Sequence, residues 1–172
     1  MKPKYIAIAA ISIDGKIALN SKHPSDWTSK EDKVFMRALL SKCDVVVVGN
    51  NTYKMAKEPL SKRNCLVFSR SANQLISGSA NLQFINPNKI NIAKFMRSKK
   101  YRSIAILGGA QVYTYFLEKN LLDEIYLTIE PLIFGRGINL FSDLRTIPQN
   151  FTLSSVKKLN KQGSILLHYA RL

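Results

Sequence analysis

Acidic residues are scarce in this chain: 11 aspartates and glutamates stand against 26 lysines and arginines, a formal charge of +15 over 172 residues. Cysteine, histidine and tryptophan are scarcer, at two, two and one. Cys43 and Cys65 lie in or beside apolar runs without CxxC spacing, which argues against a disulfide framework or a thiolate metal site and reads as two reduced core thiols. His23 and His168 are too isolated for a metal cluster or a catalytic triad, and both read as structural. No apolar run approaches the roughly 20 residues needed to span a bilayer. There is no GxGxxG and no Gly-Lys-Ser/Thr phosphate loop, which argues against a Rossmann domain of the usual kind and against an NTPase. No basic stripe is interleaved with aromatics for base stacking, so the charge reads as a lysine-rich solvated surface and nucleic acid is not expected as a partner.

What is present is a filled core. Hydrophobic residues make up 46% of the chain, enough for one domain spanning residues 1–172. The apolar start Tyr5–Ile11 is followed by Ser12, Asp14 and Lys16, which fits a buried first strand better than a cleaved leader, and a cytoplasmic location is expected. Strands are expected at Tyr5–Ile13, Asp44–Val48, Cys65–Phe68, Leu82–Ile85, Ser103–Leu107 and Glu124–Glu130. A closing pair, Phe151–Leu159 and Ser164–Arg171, flanks the turn 160–163. Runs such as Val45–Val48 and Ile104–Leu107 are apolar without alternation, as in strands covered by helices on both faces. Thr28-Ser29-Lys30-Glu31 reads as a capping box opening a helix with Val34, Phe35, Ala38 and Leu39 on its apolar face. Further helices are expected at Asn91–Lys99 and Ala110–Asn120. The alternation predicts an α/β fold with a mostly parallel central sheet, joined by right-handed crossovers, and an antiparallel C-terminal hairpin edge.

Two buried strands run into glycine and then a helix start: Gly49-Asn50-Asn51-Thr52 and Leu107-Gly108-Gly109-Ala110-Gln111-Val112-Tyr113. Outside the carboxyl ends of parallel strands, glycine lets a ligand approach the backbone, and free helix amides favour phosphate oxygens. A third strand ends in Ser69-Arg70, a hydroxyl and a guanidinium suited to a ribose phosphate. On Glu124–Glu130 the alternation sets Tyr126, Thr128 and Glu130 on one face. An acid there needs a partner or a chemical task.

The order of Ser12-Ile13-Asp14-Gly15-Lys16, Asp26-Trp27-Thr28-Ser29, Val48-Gly49-Asn50-Asn51-Thr52, Leu107–Tyr113 and Pro131 through Gly135 and Gly137 resembles the dihydrofolate reductase superfamily, nearest to the reductase domain of riboflavin biosynthesis. The resemblance implies a dihydrofolate-reductase-like three-layer sandwich and an NADPH cofactor. Ala10 and Ile17 would touch the nicotinamide, with Lys16 close by. Gly49 to Thr52 and Gly108 to Val112 would hold the phosphates, Ser69 and Arg70 the 2′-phosphate, and Tyr113 would lie near the nicotinamide edge. Asp32 matches the carboxylate that binds a pterin ring and assists protonation, and Thr128 a position lining that pocket. Trp27 and Thr28 join the substrate side, and Lys16, Asp32 and Glu130 are the catalytic candidates. Three features depart from the pattern: Asn50 stands where a basic residue is common, Leu40 where the riboflavin-type helix carries Arg, and Lys57-Glu58-Pro59-Leu60-Ser61-Lys62-Arg63 where that family has an Asp-led stretch gripping the ribose phosphate, for which Glu58, Lys62 and Arg63 would substitute. Implied are a small-molecule substrate of pyrimidine or pterin type and a homodimer.

Overall fold

The computed structural model describes residues 2–72, 76–79, 81–143 and 148–172. Its main sheet has nine strands in the order β10-β11-β8-β1-β7-β3-β4-β6-β5. They are β1 (Lys4–Ser12), β3 (Val45–Gly49), β4 (Cys65–Phe68), β5 (Ile76–Ser79), β6 (Leu82–Ile85), β7 (Ser103–Ile106), β8 (Glu124–Glu130), β10 (Phe151–Lys158) and β11 (Ile165–Arg171). From β8 to β6 all neighbours are parallel. β11 runs antiparallel to β8 and pairs with β10 in a hairpin. β5 adds a second antiparallel edge that the sequence pattern did not anticipate. The short strands β2 (Lys16–Ala18) and β9 (Ile138–Asn139) form a separate two-stranded sheet, also unanticipated. Strands this short carry too little side-chain pattern to be seen.

The unalternating strands are explained by two cores. Along β3, Val45 and Val47 enter one cluster with Ile92 and Met96 of α4 (Ile92–Ser98) and Val112 and Phe116 of α5 (Ala110–Glu118). Val46 and Val48 enter the other, with Leu40 of α1 (Lys30–Leu40), Tyr53 of α2 (Asn50–Met55) and Leu60 of α3 (Lys57–Ser61). β1, β4 and β7 divide the same way. Helix, sheet and helix therefore stack as three layers. No helix among the described residues is long and apolar enough to cross a membrane.

The first helix differs from its expected form in two ways. Its cap is Ser29, whose hydroxyl accepts from the Asp32 amide, one residue later than the Thr28 box. Its inward face is Asp32, Met36 and Leu40, with Phe35 and Leu39 partly covered, whereas Val34 is 59% exposed and Ala38 is exposed too. Ranking by hydrophobicity misplaced the stripe because the helix turns a carboxylate inward. Among the described residues both cysteines are free thiols, with burial pushing each thiol's pKa up. His168 stacks on Tyr126 at 4.1 Å between ring centroids.

Candidate active site

Because β3 and β7 are neighbours, their glycine ends meet: the Gly49 amide donates to the Gly108 carbonyl at 2.7 Å. Gly108 has φ +87°, and a Cβ there would lie 2.5 Å from the Tyr113 ring. A Cβ on Gly49 would press on Val112 at 3.3 Å. The Tyr113 ring is fixed by its hydroxyl, which donates to the Ile8 carbonyl at 2.6 Å, and burial raises its pKa. Gly108 and Gly109 are joined by a cis peptide. Gly109 caps α5 without a side chain, so its only oxygen is the carbonyl, which accepts from the Val112 and Tyr113 amides and not from those of Ala110 and Gln111.

A continuous cleft of about 1470 Å³ passes over this point. That exceeds the roughly 300–1,000 Å³ of a pocket for one small ligand, and leaves room for two molecules side by side. At one end it is lined by Ser69 and Arg70, where Asn86 holds the Arg70 carbonyl and Ser69 bonds Ser71. The middle is lined by Ala10, Ile17, Gly49 to Thr52, Leu107 and Gly109 to Tyr113, and beyond them come Trp27, Thr28 and Asp32. Gly108 lies behind the lining, against Tyr113.

Among the described residues Asp32 is the sole acid lining the cleft, and it is buried. Burial pushes its carboxyl pKa up, against hydrogen bonds from Thr128 and Thr28 that pull it down, and the nearby Glu130 charge adds to the rise. Thr128 is thus placed behind Asp32 and not at the cleft wall. Glu130 is also set back. Its carboxylate accepts from the Ser29 amide at 2.8 Å and from the Ser164 hydroxyl at 2.5 Å, so both oxygens are occupied in tying the hairpin turn to the start of α1. Lys16 is directed away from the cleft, its ammonium donating to Asn139 across β2–β9. Of the three catalytic candidates, the structure brings only Asp32 to the cleft surface.

The mouth is framed by segments around β2 and β9. Asp14 accepts from the Ser12 hydroxyl and from the Phe134 and Gly135 amides, which lower its pKa. Phe134 meets Trp27 and His23 edge-on at 5.0 and 5.4 Å. His23 therefore has an aromatic partner and lines the cleft. Sequence reasoning missed Met36 and Arg37 of α1, which line the cleft one turn beyond Asp32 and Lys33. The i, i+4, i+8 series Asp32, Met36, Leu40 was the available signal. Tyr115, which lines the cleft near Phe68, was missed as well.

The residues present fit a phosphate-bearing dinucleotide. The glycine ends Gly49 and Gly109, the first-turn amides of a nine-residue helix with no cap side chain, and a strand-end Arg lie along one wall.

Fold and site together define an α/β chain of the dihydrofolate-reductase-like, riboflavin-pathway reductase type. Residues 3–163 match the family model described as the RibD C-terminal domain, and the chain belongs to that family. Among curated relatives, the uncharacterized protein YwjB of Bacillus subtilis (strain 168) is 27% identical over 99% of both chains. Among solved structures, a pyrimidine reductase-like protein of Corynebacterium diphtheriae matches with TM-score 0.76 at 19% identity, over 99% of this chain and 92% of that one. The diaminohydroxyphosphoribosylaminopyrimidine deaminase/5-amino-6-(5-phosphoribosylamino)uracil reductase of Thermotoga maritima matches with TM-score 0.76 at 17% identity, over 99% of this chain and 57% of that one. At those identities the structural likenesses speak for the fold.

Proposed function

We propose that this chain is an NADPH-dependent reductase that delivers hydride to a pyrimidine- or pterin-type heterocycle. Family membership puts the 5-amino-6-(5-phosphoribosylamino)uracil reductase type first. The observation that carries the reading is the single cleft joining the uncapped amides after Gly109 to buried Asp32. Gly109 to Val112 and Asn50 to Thr52 would hold the pyrophosphate, Ser69 and Arg70 the ribose phosphate, and Ala10 and Ile17 the nicotinamide. The bound cofactor supplies the hydride. Asp32 holds a proton at the cleft wall, directly or through one water, for the heteroatom next to the reduced carbon. Trp27 and Phe134 help exclude water from that end.

Dihydrofolate is the second substrate reading, and Asp32 favours it. A carboxylate steadied by two threonine hydroxyls suits a flat ring with adjacent N–H donors. Thermal unfolding with NADPH and NADH, followed by cofactor oxidation with each substrate, tests the set. A rise in Tm with NADPH and turnover of either substrate supports the reading. No rise with either dinucleotide, together with salt-sensitive oligonucleotide binding, replaces it with a nucleic-acid-binding module. Reduced thiols fit a cytoplasmic setting.

A homodimer belongs to the same proposal. β10 is exposed along nearly its whole length, and Leu153, Val156 and Ile165 stand open on the hairpin. Val156→Lys should turn a dimer into a monomer by light scattering; a wild-type monomer ends this part of the proposal.

A further inference from the structure

Of the eight polar residues that are buried among the described ones, five gather at the Asp32 end of the sheet: Ser12, Asp32, Thr128, Glu130 and Ser164. The strand they share is β8. Ser12 of β1 is paired with Glu130 on one side of it, and Ser164, just before β11, bonds Glu130 from the other. Thr128 and Glu130 lie on the same face two positions apart, about 6.6 Å along the strand. They meet α1 at two points three residues apart, close to one helical turn. Thr128 bonds the Asp32 carboxyl, and Glu130 takes the amide of Ser29, whose hydroxyl in turn takes the amide of Asp32. Together the two contacts fix where α1 begins along the strand and which way its first turn faces.

Tying the hairpin turn to α1 does not require a charge. A glutamine reaches as far and can serve both partners, and burying an ion without a counter-ion is costly. No cation among the described residues forms an ion pair with Glu130. Both its oxygens accept, at 2.8 Å from Ser29 and 2.5 Å from Ser164, so it is held as the carboxylate. Ser12, Thr128, Glu130 and Ser164 are each at most 3% exposed, and water does little there to screen that charge from Asp32. The other ionisable groups around Asp32 are Lys33 on its own helix, which acts in the opposite sense, and Tyr113 on α5, kept neutral by burial. Arg37 lines the cleft one turn beyond Lys33. Glu31 is exposed in the same first turn and accepts from Asn160 of the hairpin turn at 3.3 Å.

We propose that Glu130 is a positioning residue of this site: from outside the cleft it sets the first turn of α1 through Ser29, and it presents Asp32 with a buried, uncompensated negative charge. The inference rests on the reductase reading for the reaction that Asp32 serves. A neighbouring carboxylate makes it harder for Asp32 to lose its proton, so the acid stays loaded at a pH where an exposed aspartate would be empty. Once Asp32 has given that proton to the substrate, the same charge favours its recovery from solvent.

Two readouts test it on the full chain: titration of the Asp32 carboxyl by carboxyl-carbon NMR without ligand, and NADPH oxidation against pH. Glu130→Gln keeps length and both contacts but not the charge. It should move the Asp32 titration, and the pH at which turnover falls, to lower values, with turnover at low pH within about twofold of wild type. Glu130→Asp keeps the charge but falls short of Ser29 and Ser164. It should lower turnover at every pH by about tenfold or more while NADPH affinity is unchanged. Asn160→Ala loosens the hairpin turn without touching Glu130, and should lower Tm with the Asp32 titration in place. An Asp32 titration unmoved in Glu130→Gln overturns the proposal, and so does one moved equally by Asn160→Ala. Should Glu130→Gln fail to fold, Glu130→Asp decides, and wild-type turnover in that variant overturns the proposal. The NMR titration needs no cofactor. A wild type that oxidises no NADPH while Glu130→Gln still moves Asp32 sinks the reductase reading alone, whereas an active enzyme with an unmoved titration sinks the role of Glu130 alone.

Discussion

The two ends of the cleft are built from different materials. From Gly49 to Gly109 the wall is main chain: glycines packed against each other and against Tyr113, with amides left free by caps that lack side chains. From Asp32 to Arg63 the wall is side chain: the Asp32 carboxylate, a strip of methionine and leucine, and the cations Lys33, Arg37, Lys62 and Arg63. A main-chain wall recognises what is common to a class of ligands and tolerates almost no change in its own sequence. A side-chain wall can be rewritten residue by residue on an unchanged frame. A fold with both kinds of wall can keep one recognition surface while the other is varied.

The largest expected effect breaks the main-chain end. Gly108→Ala places a methyl at φ +87° and 2.5 Å from the Tyr113 ring, which should cost several kcal/mol and lower NADPH affinity by about 100-fold or more. Unchanged chemical denaturation and cofactor binding in that variant would remove the distinction between the two walls.

Asp32→Asn should leave cofactor binding intact and lower turnover by about 10²–10⁴-fold. A carboxyl whose pKa is raised in the folded state binds its proton more tightly there than in the unfolded chain. Its stabilising contribution is present at low pH and declines as pH rises from the ordinary carboxylate value through the raised one. Asp32→Asn should therefore be the more stable of the two near neutrality in denaturant titrations. In the wild type, turnover should fall as pH rises through the same window. A pH–rate profile flat across it would deny Asp32 the acid role.

Arg70→Gln tests the guanidinium at the Ser69 end of the cleft. It should cost NADPH about tenfold or more while sparing NADH. Equal losses for both would move the ribose phosphate elsewhere. Tyr113→Phe carries the smallest effect. Losing the bond to the Ile8 carbonyl should cost about 0.5–1.5 kcal/mol in stability, with the pH–rate profile unmoved; a displaced profile would make Tyr113 a chemical participant.

The main-chain end was the more legible one. Glycine after a continuous apolar strand has few uses, and Gly49 and Gly108-Gly109 could be placed from the run of residues alone. The parallel order followed from unalternating valines and isoleucines that the two cores each share. The side-chain end resisted because its signals are tertiary. Whether an inward residue of α1 is apolar or acidic depends on Thr128 and Thr28, which are 96 and 4 residues away. Glu130 was marked by its oddity on a buried strand, but its partners Ser29 and Ser164 come from opposite parts of the chain. Val34 and Ala38 were taken for the inward face because nothing local distinguishes a helix that buries a carboxylate.

The Glu130 clasp has a consequence for the order in which a growing chain can become competent. By the time residue 118 is available, α5 and its glycine turn exist, and the parallel strands β1, β3, β4 and β7 can close around them. The start of α1 has to wait. Its Ser29 amide is held by Glu130, and Glu130 is held by Ser164, in the turn of a hairpin whose last strand then inserts between β8 and β10. A nascent chain would thus own its glycine turns some 45 residues before the start of α1 is locked in place, and the final hairpin acts as the latch on the helix that carries Asp32.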